Sequence, residues 1–183
     1  MNDKAEKVYA EAFFELCTEQ CPDKAEDILS ELDALNAIFT ENPGFIKIMI
    51  APTVPVEEKT ALTKEIITAG GVSELTGNLL CVLAERGRMN CFSGIVKNFR
   101  AMYNEHFGIA EITVTTKFPL TDKLRADIAA KMGEVTGKKI SIKEKIDPSV
   151  IGGIIIDHGS ARYDGSVRTR LNALKDTLAE VIS

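Results

Sequence analysis

The side chains best suited to moving protons or holding metals are few. Among the 183 residues there are two histidines, His106 and His158, and four cysteines, Cys17, Cys21, Cys81 and Cys91. His158 lies in Asp157-His158-Gly159-Ser160, which contains the three residue types of a hydrolase triad. Adjacent residues of an extended segment point to opposite faces, so this run cannot by itself align nucleophile, base and orienting acid. No Gly-x-Ser-x-Gly elbow accompanies it, and the run reads as a surface loop. Thr136-Gly137-Lys138-Lys139 has the Gly-Lys pair of a phosphate loop but no following Ser or Thr, no upstream Gly at the required distance, and a helix where a strand should precede it. Gly137 as a helix stop followed by solvated lysines is the better reading. Gly152-Gly153 is no dinucleotide fingerprint either. Cys17 and Cys21 share a helical face, yet zinc needs further ligands and the Cys81–Cys91 spacing fits no zinc knuckle. The carboxylates are scattered, with no pair isolated in apolar surroundings. No catalytic, cofactor-binding or metal-binding residue is assigned, and the chain reads as a protein without an active site of its own.

Composition points the same way. Hydrophobic residues make up 45% and charged residues 27%, ordinary for a folded domain, and the net charge is −5, the wrong sign for a footprint on nucleic acid or an anionic membrane. No run approaches the roughly 20 apolar residues that cross a bilayer. Met1-Asn2-Asp3-Lys4-Ala5-Glu6-Lys7 is charged in both signs with no apolar segment of a signal peptide behind it. These features predict a cytoplasmic protein with reduced, mostly buried thiols, reaching a membrane only through a partner.

The elements that would position any functional surface change character near Phe107-Gly108. Before it, nearly every segment has the helical period. Helices are predicted from Lys4 to Glu19, from about Asp23 to Phe39, from Asn42 to Ile50, and over about 56–69, 73–86 and 91–106. After it, Glu111–Thr115 alternates as a half-buried strand. Thr121–Thr136 reads as a helix with Leu124, Ile128, Met132 and Val135 on one face. Lys139–Ile146 alternates again, and Ile151–Ile156 is a short apolar run. Asp164-Gly165 is a turn, and Ser166 caps a last helix with Val167, Leu171, Leu174, Leu178 and Val181 in one stripe. The predicted class is therefore α+β overall: an N-terminal six-helix all-α bundle over 1–107, followed by a small α+β C-terminal domain over 108–183 with the order strand, helix, two strands, helix.

Two helical faces are too broad for ordinary surface helices. On the first, Val8, Tyr9, Ala12, Phe13 and Leu16 form an apolar face that Ala10, Phe14 and Cys17 extend, leaving only a narrow stripe of Lys4, Lys7, Glu11, Glu15 and Thr18. The apolar arc takes roughly two thirds of the circumference. The fifth behaves alike, with Val72, Leu75, Leu79, Leu80, Val82, Leu83 and Ala84 against a polar stripe of Glu74, Asn78 and Glu85. Two placements satisfy such arcs. Both helices lie deep in the bundle, or each packs inward on one side and lines an exposed groove that accepts an amphipathic helix. On the second placement Phe14 faces out, and Phe14→Asp weakens partner binding without loss of stability.

A basic cluster of Arg162, Arg168, Arg170 and Lys175 surrounds the last turn and helix. It is either a solvated face or a contact for an acidic partner or RNA; Tyr163 is the one aromatic interleaved with it, which counts against nucleic acid.

Several runs together resemble the delta-subunit family of bacterial F-type ATP synthases, whose mitochondrial counterpart is the oligomycin-sensitivity-conferring protein. Tyr9-Ala10-Glu11-Ala12-Phe13-Phe14 is similar to that family's first-helix motif, with Phe13 for the usual Leu. Asn42, Phe45, Pro52 and Glu58-Lys59 fall in the family's order. Asn78-Leu79-Leu80-Cys81-Val82-Leu83-Ala84-Glu85-Arg86-Gly87-Arg88 resembles its Asn-Leu-Leu…Glu-Asn-Gly-Arg segment, with Arg86 for the common Asn. Lys145-Ile146-Asp147-Pro148-Ser149-Val150-Ile151-Gly152-Gly153, then Asp164-Gly165-Ser166-Val167-Arg168-Thr169-Arg170-Leu171, resembles the family signature. The departures are Asp157-His158-Gly159-Ser160, where Gly-Asp is frequent, and Thr169, where Gly is common.

The resemblance implies a non-catalytic stator subunit without a cofactor, whose six-helix domain sits on the catalytic head and holds the N-terminal helices of alpha subunits with its first and fifth helices. The residues it assigns to that contact are Val8, Tyr9, Ala12, Phe13, Phe14, Leu79, Leu80, Leu83 and Arg88. It implies a C-terminal domain engaging the peripheral-stalk b subunits, with Gly152, Gly153, Asp164, Gly165, Ser166, Arg168, Arg170 and Leu171 as motif residues and potential contacts. It also implies a place on the cytoplasmic face of the cell membrane, reached only through the complex, and no nucleic-acid partner. The alternative is a soluble adaptor that binds an acidic partner or RNA through the basic C-terminal face.

Overall fold

The computed structural model describes residues 3–159 and 161–171. The chain divides into two compact units, Met1–Tyr103 and Asn104–Ser183. The first is helical: α1 (Asp3–Gln20), α2 (Ala25–Glu41), α3 (Pro43–Ile50), α4 (Val56–Gly70), α5 (Glu74–Glu85) and α6 (Phe92–His106), the last turn of α6 falling in the second unit. Single 3₁₀ turns at Pro22–Lys24 and Met89–Cys91 lead into α2 and α6, which therefore start slightly later than the periodicity predicts.

Aromatic rings organise the bundle. Phe99 of α6 is fully buried and meets Phe13 of α1 at 5.4 Å between ring centroids and Phe14 at 5.5 Å; Phe39 of α2 meets Phe92 at 5.1 Å and Phe45 at 5.3 Å. The Phe39–Phe45 pair is stacked and the others are tilted or edge-on, and such pairs add to the burial of their large apolar area. Two polar devices fix the connections. Lys59 is buried, and its ammonium group donates to the Ala51 carbonyl at 2.7 Å, closing the Pro-rich link between α3 and α4. Ser73 accepts the Thr76 N–H and caps α5, while its own N–H and O–H donate to the Glu31 carboxylate at 3.2 and 2.7 Å. The start of α5 is thereby tied to α2. Gly77 lets α5 approach α4: a Cβ there would lie 3.3 Å from the Ile67 side chain.

The second unit is α+β, as the class requires. Gly108, with φ of +60°, turns the chain into β1 (Ile109–Thr116); α7 (Asp122–Thr136), β2 (Lys139–Ile146), β3 (Ile155–His158) and β4 (Ala161–Asp164) follow. The sheet order is β2-β1-β3-β4, with β1 parallel to β2 and antiparallel to β3, and β3 antiparallel to β4. Ile112, Val114 and Ile156 of the sheet bury against Leu120 and against Ile128 and Met132 of α7.

Three expectations need correction here. The Asp157–Ser160 run is not simply a surface loop: Asp157 and His158 continue β3, opposite Arg162 and Ala161. A further strand, β4, follows where only a turn was expected, because backbone pairing to β3 holds four residues that are all exposed and carry no alternating pattern. Leu124 and Val135 do not share the buried face of α7; they are 38% and 70% exposed, since the sheet covers only the middle of the helix. Residues 167–171 are helical; Leu174, Leu178 and Val181 of the predicted stripe lie outside the described residues.

Candidate functional site

Apolar positions fall along α1 at Tyr9, Ala12, Phe13 and Leu16, and along α5 at Leu75, Leu79 and Val82, the i, i+3, i+4 and i+7 spacing of a helical stripe, with Phe13 and Leu79 themselves buried. The two stripes, joined by Gln20 and Asn78, wall a mostly apolar groove of about 310 Å³. Leu16 and Val82 are each more than 40% exposed on its walls, and Val8, outside the lining, is 58% exposed. At the Tyr9 end, Arg88 donates to the Tyr9 hydroxyl at 3.2 Å and its guanidinium carbon stands 5.8 Å from the ring centroid. This combined hydrogen bond and cation–π contact fixes the Tyr9 ring.

Of the nine residues assigned to partner contact, Tyr9, Ala12, Phe13 and Leu79 line this groove, and Val8 and Arg88 are exposed. The other three need a different account. Leu80 and Leu83 are fully buried, on the inner side of α5, and offer a partner no surface. Phe14 is half-buried edge-on against Phe99 rather than turned outward, because the side of α1 that carries it packs on α6. Sequence reasoning left Leu16, Leu75 and Val82 out of the site although all three belong to the broad arcs; the signal was their register with Tyr9 and Leu79.

The C-terminal motif forms a backbone clasp. The Gly165 N–H donates to the Ile154 carbonyl at 2.9 Å, and the Val167 N–H to the Gly152 carbonyl at 3.0 Å. Gly153 takes φ of +87°, and a Cβ on it would sit 2.4 Å from the Gly165 carbonyl oxygen, so only glycine fits. Asp164 accepts the Ser166 N–H at 2.9 Å, and Ser166 accepts the Thr169 N–H at 3.3 Å, launching the helix that begins at 167. Hydrogen bonds from Ser166 hold the Asp164 carboxyl below its ordinary value. Asp147 is likewise lowered by hydrogen bonds from Ser149 in the turn after β2. Gly152, Gly153, Asp164, Gly165 and Ser166 thus engage one another, while Arg168, Arg170 and Leu171 remain exposed. Arg162 pairs with Asp157 at 3.7 Å, and Lys175 lies outside the described residues. Twelve basic and eleven acidic residues fall in this unit, a balance far from the strong positive field that RNA binding needs.

Cys17 and Cys91 are buried and all four thiols are free. Burial, with Cys21 adding for Cys17 and Glu6 for Cys91, raises both thiols above their ordinary range, which keeps them protonated and poorly nucleophilic. Among the described residues no group of three or more His, Cys, Asp or Glu is placed to hold a metal ion, and no helix is long and apolar enough to cross a membrane.

The family model of the ATP synthase delta (OSCP) subunit matches residues 5–178. The chain is 33% identical over 173 residues to ATP synthase subunit delta of Nitrobacter winogradskyi, covering 94% of this chain and 91% of that protein. It is 35% identical over 174 residues to the Leuconostoc citreum subunit delta, covering 93% of each. It is also 34% identical over 160 residues to the mitochondrial ATP synthase subunit O of Ipomoea batatas, covering 86% of this chain and 66% of that protein. Its fold resembles a chain of the Toxoplasma gondii mitochondrial ATP synthase hexamer, with a TM-score of 0.67 at 22% identity over 95% of this chain and 97% of that one. The chain belongs to the ATP synthase delta (OSCP) subunit family and is a structural, non-catalytic subunit of ATP synthase.

Proposed function

We propose that this subunit is the stator joint between the catalytic head and the peripheral stalk. Its helical unit binds the N-terminal helix of an alpha subunit in the α1–α5 groove, and its C-terminal unit binds the end of the b subunits. The joint keeps the head from turning with the rotor, so that torque does work on the catalytic sites. The complex brings the subunit to the cytoplasmic face of the membrane. The observation that carries this reading is the groove itself: two apolar stripes at helical spacing, with Leu16 and Val82 open to solvent on its walls. An amphipathic helix presenting anchors at i, i+3, i+4 and i+7 matches such a groove. Two modest contacts, one per unit, gain strength when engaged on one complex.

The test is calorimetric titration of the full chain with a synthetic peptide of the alpha N-terminal segment. One-to-one binding that Val82→Asp weakens at least tenfold, with thermal unfolding unchanged, supports the reading. Binding that Val82→Asp and Leu16→Asp leave intact, or no binding, overturns it.

A further inference from the structure

The long edge of the sheet in the second unit is open. β2 is the outer strand of the order β2-β1-β3-β4, and its eight residues pair with β1 alone among the described strands. At about 3.3 Å per residue that edge runs about 26 Å. The opposite edge strand, β4, has four residues, and shortness by itself protects an edge. β2 lacks that protection. The Lys139 N–H donates to the Gly108 carbonyl and the Asp147 N–H to the Thr116 carbonyl, each at 2.9 Å, so the odd-numbered residues along β2 turn their backbone groups toward β1. Successive residues of a strand turn them to alternate sides. The N–H and C=O groups of Ile140, Ile142, Glu144 and Ile146 therefore point away from the sheet.

Side chains alternate between the two faces as well. Ile140 and Ile142 pack on the core beneath α7, so Lys139, Ser141, Lys143 and Lys145 occupy the other face, where all four are exposed. Glu144, on the α7 side, is held by the Arg125 guanidinium. Glu111 and Asp157 lie further in, on β1 and β3, and Asp157 pairs with Arg162. The edge is thus a row of outward peptide groups flanked by three lysines. A second copy of β2 laid along it would set lysines against lysines, which is unfavourable. A strand with carboxylates at alternate positions meets the same lysines with opposite charge.

We infer that β2 is a docking edge, lengthened into a wider sheet by an extended acidic segment of another ATP synthase subunit. The backbone of that segment pairs with Ile140, Ile142, Glu144 and Ile146, and its carboxylates lie along Lys139, Lys143 and Lys145. Strand addition of this kind takes its affinity from main-chain hydrogen bonds and its selectivity from alternate side chains. The contact is separate from the α1–α5 groove and does not depend on what fills it.

The experiment compares hydrogen exchange of the β2 amides in the free chain and in assembled ATP synthase, resolved residue by residue by electron-transfer fragmentation. Ile140, Ile142, Glu144 and Ile146 are expected to slow at least about tenfold on assembly, as newly bonded amides do. Ser141, Lys143 and Lys145, already turned to β1, are the control. Equal slowing of both sets marks a general stabilisation of the unit and overturns the inference, as does no slowing of the even-numbered set. In a second arm, a carbodiimide that joins amines to carboxylates in contact is applied to the assembled complex. It is expected to link Lys143 or Lys145 to an Asp or Glu of another subunit, identified by mass spectrometry. Slowing of the even-numbered set without such a link overturns the acidic occupant.

Discussion

Phe14 and Val82 both sit on broad apolar arcs, yet their surroundings give them opposite roles. Phe14 rests edge-on against the fully buried Phe99, so Phe14→Asp would place a charge against the core and lower stability by about 2 kcal/mol or more. Chemical denaturation measures this; a stability close to that of the parent chain would return Phe14 to the partner surface. Val82 is 42% exposed on the groove wall, and its Asp variant should unfold at the parent temperature while losing alpha binding. Gly153 is constrained by backbone alone. Gly153→Ala forces a methyl group against the Gly165 carbonyl at positive φ, and should cost roughly 2–4 kcal/mol in the second unit. Unfolding of the two units followed separately by amide signals checks it, the first unit staying unaffected. At this scale the sequence made the apolar arcs readable but not the division of labour within them, because a helical wheel gives angle and not neighbour. Leu80 and Leu83 belong to the same arc as Leu79 and lie wholly inside.

The elements were legible where periodicity was long. Helices α1 to α6 and the strand–helix–strand of the second unit fall near their predicted ranges, since each buries an apolar face of regular period. The β3–β4 hairpin was not, because Ala161–Asp164 has no apolar alternation and is held by pairing to β3 alone. Caps make testable statements about elements. Ser73→Ala removes the α5 cap and the hydroxyl contact to Glu31 while keeping the backbone one, and should destabilise the first unit by about 1 kcal/mol; a neutral effect in thermal unfolding would show that the Ser73 hydroxyl contributes nothing to the cap. The clasp should respond to acid. Asp164 has its pKa lowered in the fold, so its stabilisation of the turn is complete above the ordinary carboxylate range and is lost as pH falls through the lowered pKa. The Ser166 amide shift followed by NMR should titrate with a midpoint below that range. A midpoint at or above the ordinary carboxylate value would mean that the Asp164–Ser166 bond contributes nothing to the cap.

For the whole molecule, charge and surface are divided between the units. Ten basic and sixteen acidic residues fall in the first unit, while the second is nearly balanced. An acidic unit with an apolar groove and a second unit with exposed Leu171 beside Arg168 and Arg170 suit two different protein partners better than one polyanion. The family was readable from the runs at Tyr9–Phe14 and Gly152–Leu171, and the clasp gives the second of them a physical cause: a position, 153, that only glycine fits, and an Asx turn at Asp164. Which surface meets which partner was not readable, because contacts form between chains. The most direct measurement is site-specific photo-cross-linking in the assembled ATP synthase, with a benzoylphenylalanine at position 82 in one preparation and at position 171 in another, and the linked peptides identified by mass spectrometry. The stator account predicts that position 82 captures the N-terminal residues of an alpha subunit and position 171 the end of a b subunit. Capture of b at position 82, or of alpha at position 171 alone, would contradict it.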